Sequence, residues 1–307
     1  MNRSGFTLIE LLTAISVLTL MLLMVSQLVN SAATVMSTSG RHLDADTQAR
    51  LLFNRMALDI SGMMKRTDID YSCFKNAVSN PQVGNDQMAF YSETHGYFSG
   101  ASQPAGTGKA DLSLVAYMVA NDTTSSTPVL QRLGKGLGWE PADTSATPAW
   151  NNVAYLPITL SSRWPNLFST TTPDADYRTV GDLVFRMEYT YLLKPTTTQA
   201  ATLSITPYYG TTGHTTINGF KDVAAIVTTI AMLDNSSRKL VNDYTNLTSS
   251  LPDAKSPLTD TTYNGHVASA WNAVVNSPTF STTVNLPKTA VSSVRVYERY
   301  FYLDSPQ

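Results

Sequence analysis

The stretch that decides the fold is Met1-Asn2-Arg3-Ser4-Gly5-Phe6-Thr7-Leu8-Ile9-Glu10, followed by an almost unbroken apolar run to Val29. From Phe6 onward that run is built of Leu, Val, Ile, Met, Ala and Thr, and Glu10 is its one formal charge. About 20 apolar residues suffice to cross a bilayer core as a helix. Arg3 precedes the span, so the positive-inside rule places residues 1–5 in the cytoplasm and the rest of the chain outside. An ionisable group within such a span is costly to keep and marks a functional position by default. Two plainer readings compete. Ser31 and Ala33 would supply the small-x-small site of a secretory signal, but the run exceeds the ~7–15 apolar residues of such a signal. A simple signal anchor explains the length, but neither Gly5-Phe6 nor Glu10.

Working outward, the chain turns amphipathic instead of ending its helix. Leu52, Phe53, Met56, Ile60, Met63 and Met64 recur at helical spacing, with Arg50, Asn54, Arg55 and Asp59 between them. A helix from Phe6 to about Lys65 would be roughly 90 Å long, too long to sit wholly in a bilayer. The spacing thus predicts a membrane half over 6–29 and an amphipathic half over 30–65 that packs on a domain formed by 66–307. Ser37, Thr38, Ser39 and Gly40 are its weak point in helical propensity.

Residues 66–307 are rich in Thr, Ser, Tyr and Val and low in charge, which favours β structure. Over Leu183–Leu192 the residues Leu183, Phe185, Met187, Tyr189 and Tyr191 alternate with Arg186, Glu188 and Thr190, predicting a half-buried antiparallel strand. Val223–Leu233 reads as a buried strand, Gln87–Tyr91, Leu112–Val119 and Val291–Leu303 as further strands, and Val267–Val275 as a short helix. Gly134-Lys135-Gly136-Leu137-Gly138-Trp139 reads as a glycine-punctuated turn, and Ser99–Gly108 and Pro195–Gly219 as surface loops. The expected fold is α+β: a long N-terminal membrane-spanning helix packed on a β-rich domain of antiparallel sheet.

The residues Gly5-Phe6-Thr7-Leu8-Ile9-Glu10 resemble the processing signal of type IV prepilins and type II secretion pseudopilins. The resemblance implies that a prepilin peptidase cuts after Gly5 and that the new terminal Phe6 is N-methylated. It makes Glu10 the fifth residue of the mature chain, pairing with the terminal amine of a neighbouring subunit and setting axial register. Elementary chemistry fits these roles: glycine suits an extended protease substrate, and a buried carboxylate needs a partner or neutralises. The implied partners are the peptidase, other pilin or pseudopilin subunits and an inner-membrane assembly platform. Many major pilins carry a proline about where Gln27 stands; here none occurs before Pro81, which points to a minor pilin or pseudopilin. Beyond the helix, Asp182–Leu193 and the Val223–Asp234 strand resemble J-type minor pseudopilins, PilW-like minor pilins and Verru_Chthon cassette protein C. In the last, a strand ending in aspartate precedes a polar turn, the place of Leu233-Asp234-Asn235-Ser236-Ser237-Arg238.

The chain shows none of the motifs G-x-S-x-G, H-E-x-x-H or a full phosphate loop; Gly106-Thr107-Gly108-Lys109 runs on into Ala110. His42, His95, His214 and His266 are scattered, and Asp68/Asp70 or Asp174/Asp176 supply too few oxygens for a hard cation. The expectation is no enzyme, no cofactor and no metal. Cys73 is the sole cysteine, read as a buried thiol. With 21 Lys and Arg against 23 Asp and Glu, and no basic tract, nucleic-acid binding is not expected. The competing reading from another class is a monomeric membrane-anchored surface protein, a binding module or adhesin.

Overall fold

The computed structural model describes residues 7–65, 69, 71–75, 84–97, 109–122, 127–137, 160, 167, 174, 176–208, 220–256 and 260–303. Helix α1 spans Leu8–Ser61 without interruption, so Ser37–Gly40 does not break it. The chain divides within this helix, into Met1–Asp44 and Ala45–Gln307. In the first unit, the described side chains from Thr7 to Asp44 are exposed. In the second, Ala45, Ala49, Leu52, Phe53, Met56, Ile60 and Met63 are buried, at the predicted helical spacing. Burial therefore begins at Ala45, later than an amphipathic half starting at residue 30 would place it.

Among its described residues, the remainder of the second unit holds two antiparallel sheets. The larger contains β1 (Tyr71–Phe74), β2 (Gln87–Ser92), β3 (Gly96–Tyr97), β4 (Lys109–Ala110), β5 (Leu112–Asn121), β6 (Pro128–Leu137) and β7 (Arg178–Gly181). Its order is β1-β2-β5-β6-β3-β4, with β7 also on β6. One local exception to the antiparallel pattern is the parallel pairing of Tyr97 with Lys135. The smaller sheet has the order β11-β10-β8-β9, from β8 (Val184–Leu193), β9 (Thr202–Ser204), β10 (Val223–Met232) and β11 (Arg295–Tyr302). Between β10 and β11 lie short helices α2 (Asn235–Arg238), α3 (Tyr244–Ser250), α4 (Val267–Val275), α5 (Phe280–Thr283) and α6 (Lys288–Val291). The helix predicted at Val267–Val275 is α4. The predicted strand Val291–Leu303 begins only at Arg295, because Lys288–Val291 makes a helical turn after Pro287.

Three apolar clusters account for the burial. The first joins α1 (Leu52, Met56, Ile60) to both sheets through Phe90, Tyr117, Met187, Ile226 and Phe301. The second packs the other side of the small sheet (Phe185, Ala231) on Leu247, Trp271, Phe280 and Val291 of the short helices. A third gathers Leu114, Ala116, Met118 and Leu133 of the large sheet with Leu160, Leu167 and Tyr177. Both sheets are thus covered on both faces. This corrects the half-buried reading of β8, in which Arg186, Glu188 and Thr190 are as buried as their neighbours. It also explains why β10 reads as a continuous apolar run.

Two further departures have local causes. In β8 the register with β10 shifts between Ala231↔Arg186 and Met232↔Val184, leaving Phe185 as the extra residue of a bulge. The bulge turns Phe185 toward the helical layer, out of the face it was expected to share with Met187 and Tyr189. Gly134, Lys135, Gly136 and Leu137 lie within β6 and not in a turn; Gly138 and Trp139 lie outside the described residues. These glycines mark close approaches. A Cβ on Gly134 would stand 2.3 Å from Arg132 Nη1, and one on Gly96 would stand 2.7 Å from Gly136 Cα.

The clearance over Gly134 serves a buried ion pair that fastens α1 to the large sheet. Arg132 Nε and Nη2 donate to Asp59 Oδ2 and Oδ1 at 2.6 and 2.8 Å. Tyr117 Oη donates to Oδ2 at 2.5 Å, Thr94 Oγ1 to Oδ1 at 3.2 Å, and Arg55 lies 3.3 Å away. Asp59, expected on the polar side of the helix, is fully buried. The bidentate fork satisfies both carboxylate oxygens, the geometry that makes a buried charge tolerable.

Candidate functional site: the amino-terminal segment

Gly5 and Phe6 lie outside the described residues; Glu10 lies within them, in the first turn of α1. Thr7 N–H donates to Glu10 Oε2 at 2.9 Å, and Thr7 Oγ1 donates to the same oxygen at 2.9 Å. In return the Glu10 N–H points to Thr7 Oγ1 at 3.4 Å. Thr7-Leu8-Ile9-Glu10 is therefore a capping box, with Thr7 at the N-cap and Glu10 three residues on. The sequence pattern T-x-x-E before an apolar run could have announced it. It carries a consequence for the carboxylate: the donors holding Oε2 are a neutral amide and a neutral hydroxyl, so they supply hydrogen bonds without a counter-charge.

Four hydroxyl side chains of the span are satisfied within the helix. Thr13, Ser16 and Thr19 donate to the carbonyls of Glu10, Leu12 and Ile15 at 3.0, 2.5 and 2.7 Å, and Thr34 donates to the carbonyl of Asn30 at 2.9 Å. Such back-bonding makes Ser and Thr acceptable in hydrocarbon. Leu8–Met36 is the one helix among the described residues long and apolar enough to cross a membrane. Its large side chains are open in the single chain: Leu8 is 82% and Leu28 71% exposed. A continuous apolar surface of this kind needs lipid or protein to cover it.

The other positions singled out in the sequence do not converge on a second site. Lys135 Nζ bonds Asp174 Oδ2 at 2.6 Å and lies 3.2 Å from Asp176 Oδ2, so a lysine occupies the space between these two carboxylates. The Asp176 N–H donates to Asp174 Oδ1 at 3.0 Å, as a turn requires. Asp68, Asp70 and His214 lie outside the described residues. His266 immediately precedes α4, and His95 stands 3.9 Å from Asp111, both exposed. Among the described residues no three His, Cys, Asp or Glu side chains cluster as metal ligands would. Cys73 is a free thiol on β1 that is half-buried, not fully buried as expected, and desolvation pushes it up to about 11. Asp234, after β10, N-caps α2 by accepting from the Ser236 and Ser237 N–H groups at 2.8 and 3.1 Å. Sequence reading missed one group altogether: Lys75, Asp86, Arg186 and Glu188, which meet in the interior.

Residues 1–26 match the family model described as the prokaryotic N-terminal methylation motif. Comparison with curated proteins finds no match. The segment thus carries an N-terminal methylation motif, which is consistent with type IV prepilin- and pseudopilin-like proteins. That motif implies processing by a prepilin peptidase and assembly with other pilin-type subunits in general. The apolar helix fits the single-pass anchor typical of it.

Proposed function

We propose that the chain is a structural prepilin-like subunit, cleaved after Gly5, N-methylated at Phe6 and assembled as a minor component of a type IV pilus or type II secretion pseudopilus. The anchor holds the precursor in the inner membrane with residues 1–5 in the cytoplasm and the β-rich domain outside. The subunit catalyses nothing; its work is assembly on an inner-membrane platform. The observation that carries this reading is Glu10, an acid at the head of an apolar span whose bonds to Thr7 bring no opposing charge. The terminal ammonium of a neighbour's Phe6 is the counter-charge that a carboxylate in low dielectric requires. A domain this large on each subunit crowds a tight helical stack, which supports a low-copy position.

Glu10→Leu tests the assignment. It keeps the span apolar and the cleavage site intact, so the precursor is processed while incorporation into filaments falls at least tenfold. Incorporation at the native level would remove the registry role from Glu10.

A further inference from the structure

The interior of the second unit holds ions that the assembly role does not use. Lys75, just after β1, places Nζ 2.5 Å from Asp86 Oδ2 and 3.6 Å from Glu188 Oε2. Asp86 and Glu188 are buried to within 1% exposure, and the lysine head lies over the Tyr189 ring at 4.1 Å. Asp86 Oδ2 also accepts the Tyr189 N–H at 3.0 Å. Glu188 is oriented by Arg186 Nη2, 2.8 Å from Oε1, and by the Ala254 N–H, 3.3 Å from Oε2. Two buried carboxyls thus meet the head of a lysine whose side chain is only 24% exposed.

We propose that Lys75 and Asp86 condense to an intramolecular amide, a covalent staple between the end of β1 and the start of β2, with Glu188 relaying the protons. The reaction balances without any co-reactant. Proton transfer within the pair gives the neutral amine and the neutral acid. The Nζ lone pair attacks Asp86 Cγ, forming the C–N bond, while the Tyr189 N–H donates to Oδ2 as negative charge gathers there. Glu188 takes a proton from the nitrogen and delivers one to the departing hydroxyl. The C–O bond breaks and water leaves.

Three considerations favour the amide over a permanent ion pair. Holding amine and acid in contact converts a slow bimolecular condensation into a unimolecular step. Desolvating a lysine and an aspartate is costly for each ion, a cost the neutral amide removes. And a chain with a single cysteine has no disulfide of its own to close. Burial and the neighbouring Asp86 hold Glu188 well above the usual carboxylate range, the direction a proton relay needs. Burial disfavours the Lys75 ammonium, but Asp86 and Glu188 outweigh it, so the free amine arises only within the pair.

The test does not depend on the prepilin assignment, because it is read at the level of internal peptides. The full chain, purified in detergent, is weighed intact and then digested. The expected result is a mass lighter by one water than the sequence and its terminal processing require, with a branched peptide joining Lys75 to Asp86. Lys75→Arg restores the full mass, and Glu188→Gln yields uncrosslinked chain with native circular dichroism. A wild-type chain of full mass that trypsin cuts after Lys75 would overturn the proposal, as would loss of the same water from Lys75→Arg. A fully stapled Glu188→Gln chain would remove the relay from Glu188.

Discussion

Gly134 shows at the scale of one residue why the chain misleads a reader. Gly-Lys-Gly-Leu-Gly has the composition of a turn, yet the missing side chain makes room for Arg132 to reach Asp59 from within a strand. Nothing local announces this, because the demand comes from a helix more than 70 residues away. Asp59 was misplaced for the same reason: helical spacing assigns it a side but cannot supply the arginine that makes the buried side bearable. Replacing Arg132 with Met leaves that carboxylate buried without its main counter-charge and should cost about 3–5 kcal/mol of unfolding free energy; a loss under 1 kcal/mol would show that the fork contributes little. Gly84 makes a second such case. Its φ of +88° is a conformation glycine adopts freely, and a Cβ there would lie 2.1 Å from Arg186 Nη1. Gly84→Ala should cost at least about 1–2 kcal/mol from the backbone alone, measured by denaturant titration. Cys73, whose thiol is held at about 11, should resist alkylation at pH 8 in the native chain and react promptly in urea. Fast native labelling would contradict the raised thiol pKa.

Among elements, the long periodic ones were legible and their surroundings were not. The amphipathic half of α1, β10 and α4 follow from spacing and β-branched content, since these patterns report the element itself. β8 shows the limit of that method. Its alternation of apolar and polar residues suggests a solvent-facing side, but α3–α6 cover that side, and Arg186 Nη2 donates to Glu188 Oε1 at 2.8 Å in the interior. The edge of β8 is closed by side chains as well as strands. Asn85 accepts from the Met187 N–H at 2.6 Å and donates to the Phe185 carbonyl at 3.3 Å, and the Asp86 N–H donates to the Met187 carbonyl at 3.0 Å. Such plugging protects an edge from pairing with other chains. The cap on α2 has a pH signature. Burial works against the Asp234 charge, but hydrogen bonds from Ser236, Ser237 and Ser293 outweigh it and hold the carboxyl well below its usual range. A depressed carboxyl contributes stability that is complete above its unfolded value, about 3.9, and drains away as pH falls below it. Asp234→Asn should therefore flatten the loss of stability below about pH 4, and Asp234→Ala should cost about 1 kcal/mol at pH 7. An unchanged acid profile in the Asn variant would place the acid sensitivity elsewhere. Trp271, fully buried with its indole N–H on the Pro252 carbonyl at 2.8 Å, anchors the helical layer; Trp271→Ala should cost about 3–5 kcal/mol.

For the molecule as a whole, the amino-terminal segment was legible because its chemistry is contiguous: glycine, phenylalanine, a lone acid and an apolar run occupy one short stretch. The match of residues 1–26 to the N-terminal methylation motif rests on that same stretch. The proposed assembly role of Glu10 rests on a physical mismatch, an acid in a span whose apolar side chains from Leu8 to Met36 stand open in the single chain. The interior ion cluster escaped sequence reading because Lys75 and Asp86 flank the paired ends of β1 and β2 while Glu188 lies midway along β8, and only the tertiary fold brings them together. The central claim, that this chain enters a filament by the prepilin route, is tested most directly by mass spectrometry of the amino terminus of the protein isolated from cells. The account predicts a mature chain that starts at Phe6 and carries one methyl group on its nitrogen. An intact residue 1–5 segment, or a terminus near Thr34, would contradict it.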